Sequence, residues 1–274
     1  MRIWHQSFTV LEDLPAYADA LRTHMKKIAR PDTEIVMHGQ RRGTYPSDYP
    51  GDDLAYSYLY WMHGNQWVAG AVKAQEQGFD AYAMCTMPNP MIREIRTVVD
   101  IPVTGYGESA AFVACQLGQR FGVMTFIEQL VPLYTERFRS YGLGERLAGV
   151  AWTGFGFRDV LAGYTTPGPL IERFQEAARK TIRATGADVL IGGSMPLSVF
   201  LARHGVSRVD DVPVVDGLAA TIKMAEMMVD LKKNSGLTVS RHGWHNAAPP
   251  AKRIGEVMEF YRVDHLMQDP PSSE

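Results

Sequence analysis

The chain has 274 residues, of which 46% are hydrophobic and 21% are charged, and its formal net charge at pH 7 is −2. This balance is typical of a soluble globular protein, and the length suffices for one large domain or for two lobes of roughly 100–150 residues each. Acidic and basic residues are interspersed, which argues against a nucleic-acid-binding face and against a membrane-surface role. No apolar stretch approaches the ~20 residues that span a bilayer.

The opening residues and the cysteine count indicate a compartment. Residues 1–6 include His5 and Gln6 where a secretory signal would need an apolar run. The two cysteines, Cys85 and Cys115, do not suggest a disulfide framework. We therefore expect a protein of the reducing cytoplasm.

Short apolar runs alternate with helical patterns along almost the whole chain. The predicted strands cover residues 2–8, 34–38, 80–85, 101–105, 121–126, 147–153, 188–192 and 212–216. The predicted helices lie near residues 14–29, 56–77, 88–98, 107–118, 128–140, 167–185, 196–203 and 216–233. Most strands lack alternating polarity, as expected of parallel strands covered on both faces. The pattern predicts an α/β fold with parallel sheets.

Three segments have no regular period. Residues 39–54 are rich in Gly, Pro and Tyr, and residues 234–251 contain the run Ser-Arg-His-Gly-Trp-His followed by Pro-Pro. Loops of this length usually act as lids or pack over a site, which is our expectation for both. Residues 268–274 are polar and Pro-rich, and we expect them to fray.

An internal repeat organises the chain. Residues 78–88 and 186–196 match without a gap at an offset of 188 − 80 = 108, and each copy runs from Gly-x-Asp through an apolar strand to a hydroxyl, Met and Pro. Residues 100–103 match 211–214, and residues 2–8 resemble 120–126, in the same order. Three ordered matches predict a duplication.

The fold class predicted from the repeat is α/β with two pseudo-symmetric lobes. Each lobe is a four-stranded parallel sheet flanked by helices, and the active site lies in the cleft between the lobes. We assign residues 1–106 and 216–274 to the first lobe with its C-terminal tail, and residues 107–215 to the second lobe.

The candidate site follows from where the strands end, because parallel sheets bind ligands beyond the carboxyl ends of their strands. Thr86 and Ser194 each precede a predicted helix whose early turn carries Pro, and helix N-termini favour a carboxylate or an oxyanion. We predict Cys85, Thr86 and Ser194 as the catalytic residues. Alternatively, the two hydroxyls merely cap helices, and Cys85 packs as a small hydrophobe. A further set is predicted to bind substrate: Gln6, Ser7, Tyr45, Met87, Tyr106, Thr125, Gly193, Met195 and His245.

Other catalytic motifs are weak. His242 and His245 have a spacing that can bind a metal, but no third ligand is obvious, so we predict no metal site. These histidines could instead supply a proton from a closing tail, or lie in a solvated loop. Gly105-Tyr106-Gly107 is not a complete dinucleotide motif, and no Ser-His-Asp set or nucleophile elbow is visible.

The chain resembles the aspartate/glutamate/hydantoin racemase superfamily over about residues 1–233. The resemblance to the hydantoin and allantoin racemase branch is carried by residues 3–8, 100–110, 186–192 and 240–243. It implies a small-molecule carboxylate or cyclic amide substrate, a homo-oligomer and no cofactor. It also implies two cysteines that face each other across the cleft, each six residues after the acidic residue that opens its strand. Those positions here hold Thr86 and Ser194.

This departure leaves three functions open, because a hydroxyl has a far higher pKa than a thiol and transfers protons poorly near neutral pH. The first is cofactor-independent proton transfer alpha to a carbonyl (isomerisation, racemisation or decarboxylation), with Cys85 comparable to the lone thiol of arylmalonate decarboxylases. The second is a hydrolase or lyase that opens a cyclic amide with Ser194 or Thr86. The third is a non-catalytic small-acid binding protein.

Overall fold

The computed structural model describes residues 1–267. The fraying predicted for residues 268–274 therefore lies outside the described residues. Two β-sheets form the core, and helices pack against both. Within the described residues, every helix is too short or too polar to cross a membrane.

The first sheet has four parallel strands in the order β2-β1-β3-β4. They are β1 (Arg2–Gln6), β2 (Glu34–His38), β3 (Ala81–Met84) and β4 (Val103–Gly105). The helices of this half are α1 (Pro15–Ile28), α2 (Gly51–Leu54), α3 (Ser57–Glu76) and α4 (Ile92–Val98). β3 is buried throughout because it is central, whereas the edge strand β2 is partly exposed.

The second sheet has five strands in the order β6-β5-β7-β9-β8. They are β5 (Phe121–Thr125), β6 (Leu147–Trp152), β7 (Val189–Gly192), β8 (Arg208–Val209) and β9 (Val212–Val215). The later helices are α5 (Tyr106–Leu117), α6 (Val131–Ser140), α7 (Phe157–Gly163), α8 (Pro167–Thr185), α9 (Met195–Arg203), α10 (Gly217–Ser235) and α11 (Ala251–Phe260).

The predicted α/β class and all eight predicted strands are confirmed. The prediction of four strands per sheet is wrong for the second sheet, because β8 adds a short antiparallel partner to β9. Two residues beside a turn carry no periodic pattern that could have predicted this strand. The helix predicted from residue 88 begins only at Ile92, because Asn89 and Met91 have φ values of 43° and 55°, outside the helical region.

The two acidic residues of the repeat have the same structural task. Asp80 accepts a hydrogen bond from the backbone N–H of Arg2 at 2.7 Å, and Asp188 accepts from those of Gln119 and Arg120, each at 2.9 Å. Each aspartate therefore ties the start of the third strand in its half to the start of the first strand. The hydroxyls that end the first strands also match, since Ser7 accepts from the N–H of Thr9 and Thr125 from that of Ile127.

Two helices cross between the sheets. α5 follows β4 of the first sheet but packs on β7 and β9 of the second, whereas α10 follows β9 and packs on β3 and β4. The two helices also pack on each other. We propose the lobes as residues 1–106 with 216–274, and 107–215, a division that this exchange of helices supports.

Candidate active site between the two halves

A cleft lies between the two halves at the carboxyl ends of their strands, and it encloses about 480 Å³ of empty space including its mouth. The first half lines it with Ser7, Phe8, Thr9, Tyr17, Tyr49, Pro50, Gly51, Leu54, Cys85, Thr86, Met87 and Pro88. The second half lines it with Phe126, Ile127, Leu130, Tyr134, Phe157, Ser194, Met195 and Pro196. None of these described lining residues is Arg, Lys, His, Asp or Glu, so the cleft offers hydroxyls, a thiol and apolar walls.

Ser194 lies where β7 passes into α9. It occupies the N-cap position, but its side chain forms no capping hydrogen bond, and its buried Oγ has no partner among the described residues. The alternative that this hydroxyl merely caps the helix is therefore wrong. The N-terminal turn of α9, with Met195 and Pro196, faces the same cleft. Helix N-termini carry free N–H groups and a partial positive charge, which suit a developing negative charge on a ligand oxygen.

Thr86 lines the cleft from the opposite half, but it does not begin a helix. It enters a turn that the side chain of Asn89 holds, by donating from Nδ2 to the carbonyl oxygens of Met84 at 3.2 Å and Thr86 at 2.6 Å. Asn89 Oδ1 also accepts from the N–H of Gly107 at 3.0 Å. The predicted pair of facing helix N-termini is thus wrong on the Thr86 side, where an asparagine-braced turn replaces the helix.

Cys85 directly follows β3, and its backbone N–H donates to the carbonyl oxygen of Gln6 at 2.9 Å. Its side chain is almost fully buried and lines the cleft. Burial raises the pKa of the Cys85 thiol, because a thiolate would lose its hydration. Cys85 therefore holds its proton at neutral pH. Cys115 is partly buried on α5 and packs against the apolar core.

Tyr17 was not predicted from the sequence. It comes from α1, is 1% exposed and lines the cleft. Its buried hydroxyl has no hydrogen-bond partner among the described residues. Burial raises the pKa of Tyr17, and the neighbouring Tyr164 and Cys85 raise it further. Ser7 lies close enough to lower this pKa, although the two side chains do not form a hydrogen bond. An aromatic residue on the apolar face of an amphipathic helix carries no local signal of such a role.

Several predicted residues do come together here. The structure places the predicted catalytic residues Cys85, Thr86 and Ser194 on the cleft, together with Ser7, Met87 and Met195 from the predicted substrate-binding set. The Ser7 hydroxyl is 2.9 Å from that of Thr9, and these two groups form one polar corner of the cleft.

The structure does not place the other predicted substrate-binding residues on the cleft. Gln6 donates to the carbonyl oxygen of Gly39 and accepts from Trp4, and the Tyr45 hydroxyl donates to the carbonyl oxygen of Phe8. These polar groups are used inside the protein and are not available to a ligand.

The same holds on the second half. The Thr125 hydroxyl accepts from the N–H of Ile127, and the Tyr106 hydroxyl donates to the carbonyl oxygen of Gly192. The N–H of Gly193 donates to the carbonyl oxygen of Met124. These three residues brace the strand ends behind the cleft and do not line it.

The tail does not form a lid. Arg241 donates to the carbonyl oxygens of Arg96 and Val99, each at 2.8 Å, which fixes the tail beside α4. His242 and His245 are exposed, and His245 packs edge-on against the exposed Trp244. The prediction that this segment packs over the site is therefore wrong. Within residues 1–267, no group of three or more His, Cys, Asp and Glu side chains is arranged to hold a metal ion.

Residues 39–54, which we call the lid loop, do cover the cleft. Tyr49 stacks on Phe157 of α7, with 4.7 Å between ring centroids and 17° between planes. Asp48 accepts two hydrogen bonds from Arg158 of the same helix. The expectation that this segment packs over the site is confirmed, and the structure adds its anchor on α7.

Comparisons with known proteins agree on one family. The family model described as Asp/Glu/Hydantoin racemase matches residues 16–225. Hydantoin racemase of Pseudomonas sp. (strain NS671) is 28% identical over 218 residues, which cover 79% of this chain and 83% of that protein. Allantoin racemase from Klebsiella pneumoniae superposes with a TM-score of 0.75 at 23% identity, over 91% of this chain and 94% of that one. Allantoin racemase from Pseudomonas fluorescens gives a TM-score of 0.71 at 26% identity, over 91% and 97%.

Proposed function

Because the chain belongs to the Asp/Glu/hydantoin racemase family, we propose that this enzyme transfers a proton at the carbon next to a carbonyl group, without a cofactor. The substrate is a small carboxylate or a hydantoin-like cyclic amide held in the cleft. The family resemblance read from the sequence is confirmed, and the hydantoin and allantoin racemases that the chain resembles support this substrate class.

One observation carries the proposal: two buried hydroxyls without partners line the same cleft as the lone thiol. They are Ser194 Oγ from the second half and the Tyr17 hydroxyl from the first. Buried polar groups in native proteins almost always have a hydrogen-bond partner. A ligand that carries oxygen atoms would satisfy both, with Thr86 as a further donor. Hydroxyls at these positions would stabilise an enolate oxygen as oxyanion-hole donors do.

The raised pKa of Cys85 favours a direction for the chemistry. A protonated thiol is an acid, so Cys85 is suited to deliver a proton to a carbanion and poorly suited to remove one. Racemisation first needs removal of a proton from the alpha carbon. Decarboxylation does not, because the carbanion forms when the carboxylate leaves as carbon dioxide. We therefore propose one-sided protonation. For a carboxylate substrate, decarboxylation is favoured over isomerisation and racemisation.

The proposed reaction needs water as its one further reactant. The carbon–carboxylate bond breaks, carbon dioxide leaves, and the electron pair stays on the adjacent carbon as an enolate held by the hydroxyls. The Cys85 S–H bond then breaks and a C–H bond forms. Water returns a proton to the thiolate. The absence of charged side chains among the described lining residues leaves a bound carboxylate poorly solvated, which favours its loss.

The hydrolase alternative has weaker support. A serine nucleophile needs an adjacent base, but Ser194 Oγ has no partner and no histidine or carboxylate lines the cleft among the described residues. His242 and His245, which could have supplied that base, lie exposed in the tail.

The test is turnover of 5-substituted hydantoins and substituted malonates in D2O, with deuterium at the alpha carbon read by mass spectrometry. Cys85→Ala should lower product formation by about 10²–10⁴-fold, the usual contribution of a general acid. Cys115→Ser is the matched control and should keep full activity. Undiminished deuterium incorporation in Cys85→Ala would remove the thiol from the mechanism, and binding without turnover in the natural chain would indicate a binding protein instead.

We also propose a homo-oligomer. Tyr56, Tyr58, Trp61 and Met62 are exposed together at the start of α3, and exposed apolar patches often mark protein interfaces. Light scattering during size-exclusion chromatography tests this, and a monomer at micromolar concentration would contradict it. The cytoplasmic location stays a prediction.

A further inference from the structure

A second cavity lies at the edge of the first sheet and shares no lining residue with the cleft. It encloses about 1350 Å³ of empty space including its opening. Residues of α1, of the β2 end and of the last turn of α3 surround it, together with the first residues of the lid loop. We call it the basic pocket, because its charged lining residues are four cations and one carboxylate: Arg22, Arg41, Arg42, Lys73 and Glu12.

The amide of Gln40 is unsatisfied in the wall of the basic pocket. Gln40 is 2% exposed, and neither Nε2 nor Oε1 has a hydrogen-bond partner among the described residues. Its backbone is fixed, since its N–H donates to the carbonyl oxygen of Thr9 at 2.9 Å. A buried amide without partners is unfavourable, so a donor and an acceptor on a ligand would both be used here.

The cations around Gln40 are engaged to different degrees. Arg22 pairs with Asp19, Arg42 lies 3.4 Å from Asp13, and Lys73 has an interaction of its own. Among the described residues, Arg41 forms no ion pair with a carboxylate, and its guanidinium donates to the carbonyl oxygen of His265. A guanidinium that no described carboxylate engages is suited to bind a carboxylate or phosphate in a two-point contact.

One wall of the basic pocket is aromatic. The His38 ring stacks on Trp4, with 3.3 Å between centroids and 6° between planes. Burial lowers the pKa of His38 to about 4, so this imidazole is neutral at pH 7 and does not add charge. The pocket thus combines a guanidinium, an unsatisfied amide and a flat neutral ring.

We propose that the basic pocket binds a small anionic molecule, a phosphate ester or a polycarboxylate, at a site separate from the substrate cleft. Arg41 contacts the anionic group, and the Gln40 amide contacts a neighbouring polar group. Both residues belong to the lid loop, so the occupant lies at the base of the segment that covers the cleft.

Isothermal titration with inorganic phosphate, pyrophosphate and citrate at constant ionic strength tests the site without any activity assay. At least one anion should bind with a Kd below about 1 mM, where binding free energies exceed about 4 kcal/mol. Arg41→Ala and Gln40→Leu should each weaken that anion at least tenfold. Ser194→Ala, in the cleft, and Arg208→Ala, on β8, are the controls and should leave its Kd unchanged.

Two outcomes would overturn the proposal. One is the absence of binding for all three anions at 10 mM, and the other is an equal loss of affinity in Ser194→Ala, which would place the anion in the cleft. Gln40→Leu should fold with an unchanged or higher Tm, because it removes an unsatisfied amide. Gln40→Glu is a second variant, and its added negative charge should abolish anion binding. Failure of the proposed reaction would leave these results untouched.

Discussion

Asp48 of the lid loop accepts two hydrogen bonds from the guanidinium of Arg158 on α7, at 2.8 and 2.6 Å. The pair joins the two halves of the duplication beside Tyr49 and Phe157, which line the cleft. The Arg158 side chain is largely exposed, so the effect of the pair on stability is small.

Breaking this pair should open the cleft. Arg158→Ala should raise the rate at which a small maleimide alkylates Cys85 several-fold, because closure of the lid loop is what limits access. Arg179→Ala, which breaks the comparable exposed pair with Asp210, is the control and should leave the rate unchanged. Mass-mapped alkylation of Cys85 against Cys115 gives the measurement. An unchanged Cys85 rate in Arg158→Ala would show that the pair does not control entry.

Removing the Ser194 hydroxyl should lower activity but leave the stability of the fold unchanged. Ser194→Ala loses no internal hydrogen bond, so its unfolding free energy should stay within about 0.5 kcal/mol of the natural chain. Its kcat should fall by about 10²–10³, as for loss of one oxyanion donor.

Ser198→Ala is the contrasting variant, because Ser198 Oγ accepts from the N–H of Gly217. It should lose about 1 kcal/mol of unfolding free energy and retain more activity than Ser194→Ala. Urea unfolding and steady-state kinetics on both variants check this. A large loss of stability in Ser194→Ala would assign that hydroxyl a structural role.

The raised pKa of Cys85 predicts a loss of stability at alkaline pH. The unfolded thiol ionises near its ordinary pKa of 9.0, while the folded thiol keeps its proton. Above that pH the unfolded chain therefore binds fewer protons than the folded one, and the unfolding free energy should fall by up to about 1.4 kcal/mol per pH unit.

Cys85→Ala should show a shallower fall of the unfolding free energy between pH 8 and 10 than the natural chain. The buried tyrosines, whose pKa values are also raised above 10.0, add the same slope to both chains. Denaturant unfolding at pH 8, 9 and 10 for both chains gives the comparison. Identical slopes would mean that the folded thiol ionises as readily as the unfolded one.

Asp188 should stabilise the fold above about pH 4. Hydrogen bonds from the N–H groups of Gln119 and Arg120 lower its pKa against the opposing effect of burial. A lowered pKa means that its contribution is present above the unfolded value of 3.8 and is lost as the pH falls below it.

Asp188→Ala should lower the unfolding free energy at pH 7 by about 1–2 kcal/mol, with the difference shrinking toward pH 3. Asp211→Asn is the control, since its carboxylate makes no hydrogen bond or ion pair among the described residues. Equal stability of Asp188→Ala and the natural chain at pH 7 would contradict the role assigned to the repeated aspartates.

Much of the fold could be predicted from local pattern. The runs that form β3 and β7 are almost wholly apolar. Such runs are expected of parallel strands that helices cover on both faces, so the α/β class follows from their composition. The repeated aspartates also have a shared structural reason. Asp80 and Asp188 each accept hydrogen bonds at the start of the first strand of their half. Both copies preserve that spacing for the same backbone reason.

The site was only partly predictable, because a side chain's surroundings depend on segments far away in the chain. Cys85, Thr86 and Ser194 were found because they sit at strand ends that the sheet brings together. Tyr17 was missed because only packing of α1 against the cleft gives its hydroxyl a role.

The amino-acid sequence by itself determined the two-fold plan: the alternation of strands and helices, the duplicated strand ends and the replacement of both expected cysteines by hydroxyls. Periodicity and spacing are local properties, and they survive without knowledge of any contact. Only the tertiary structure decided which hydroxyls stay unpartnered, that the thiol keeps its proton, and that the lid loop rather than the tail covers the cleft. Those properties depend on burial, and burial arises only when the two halves meet.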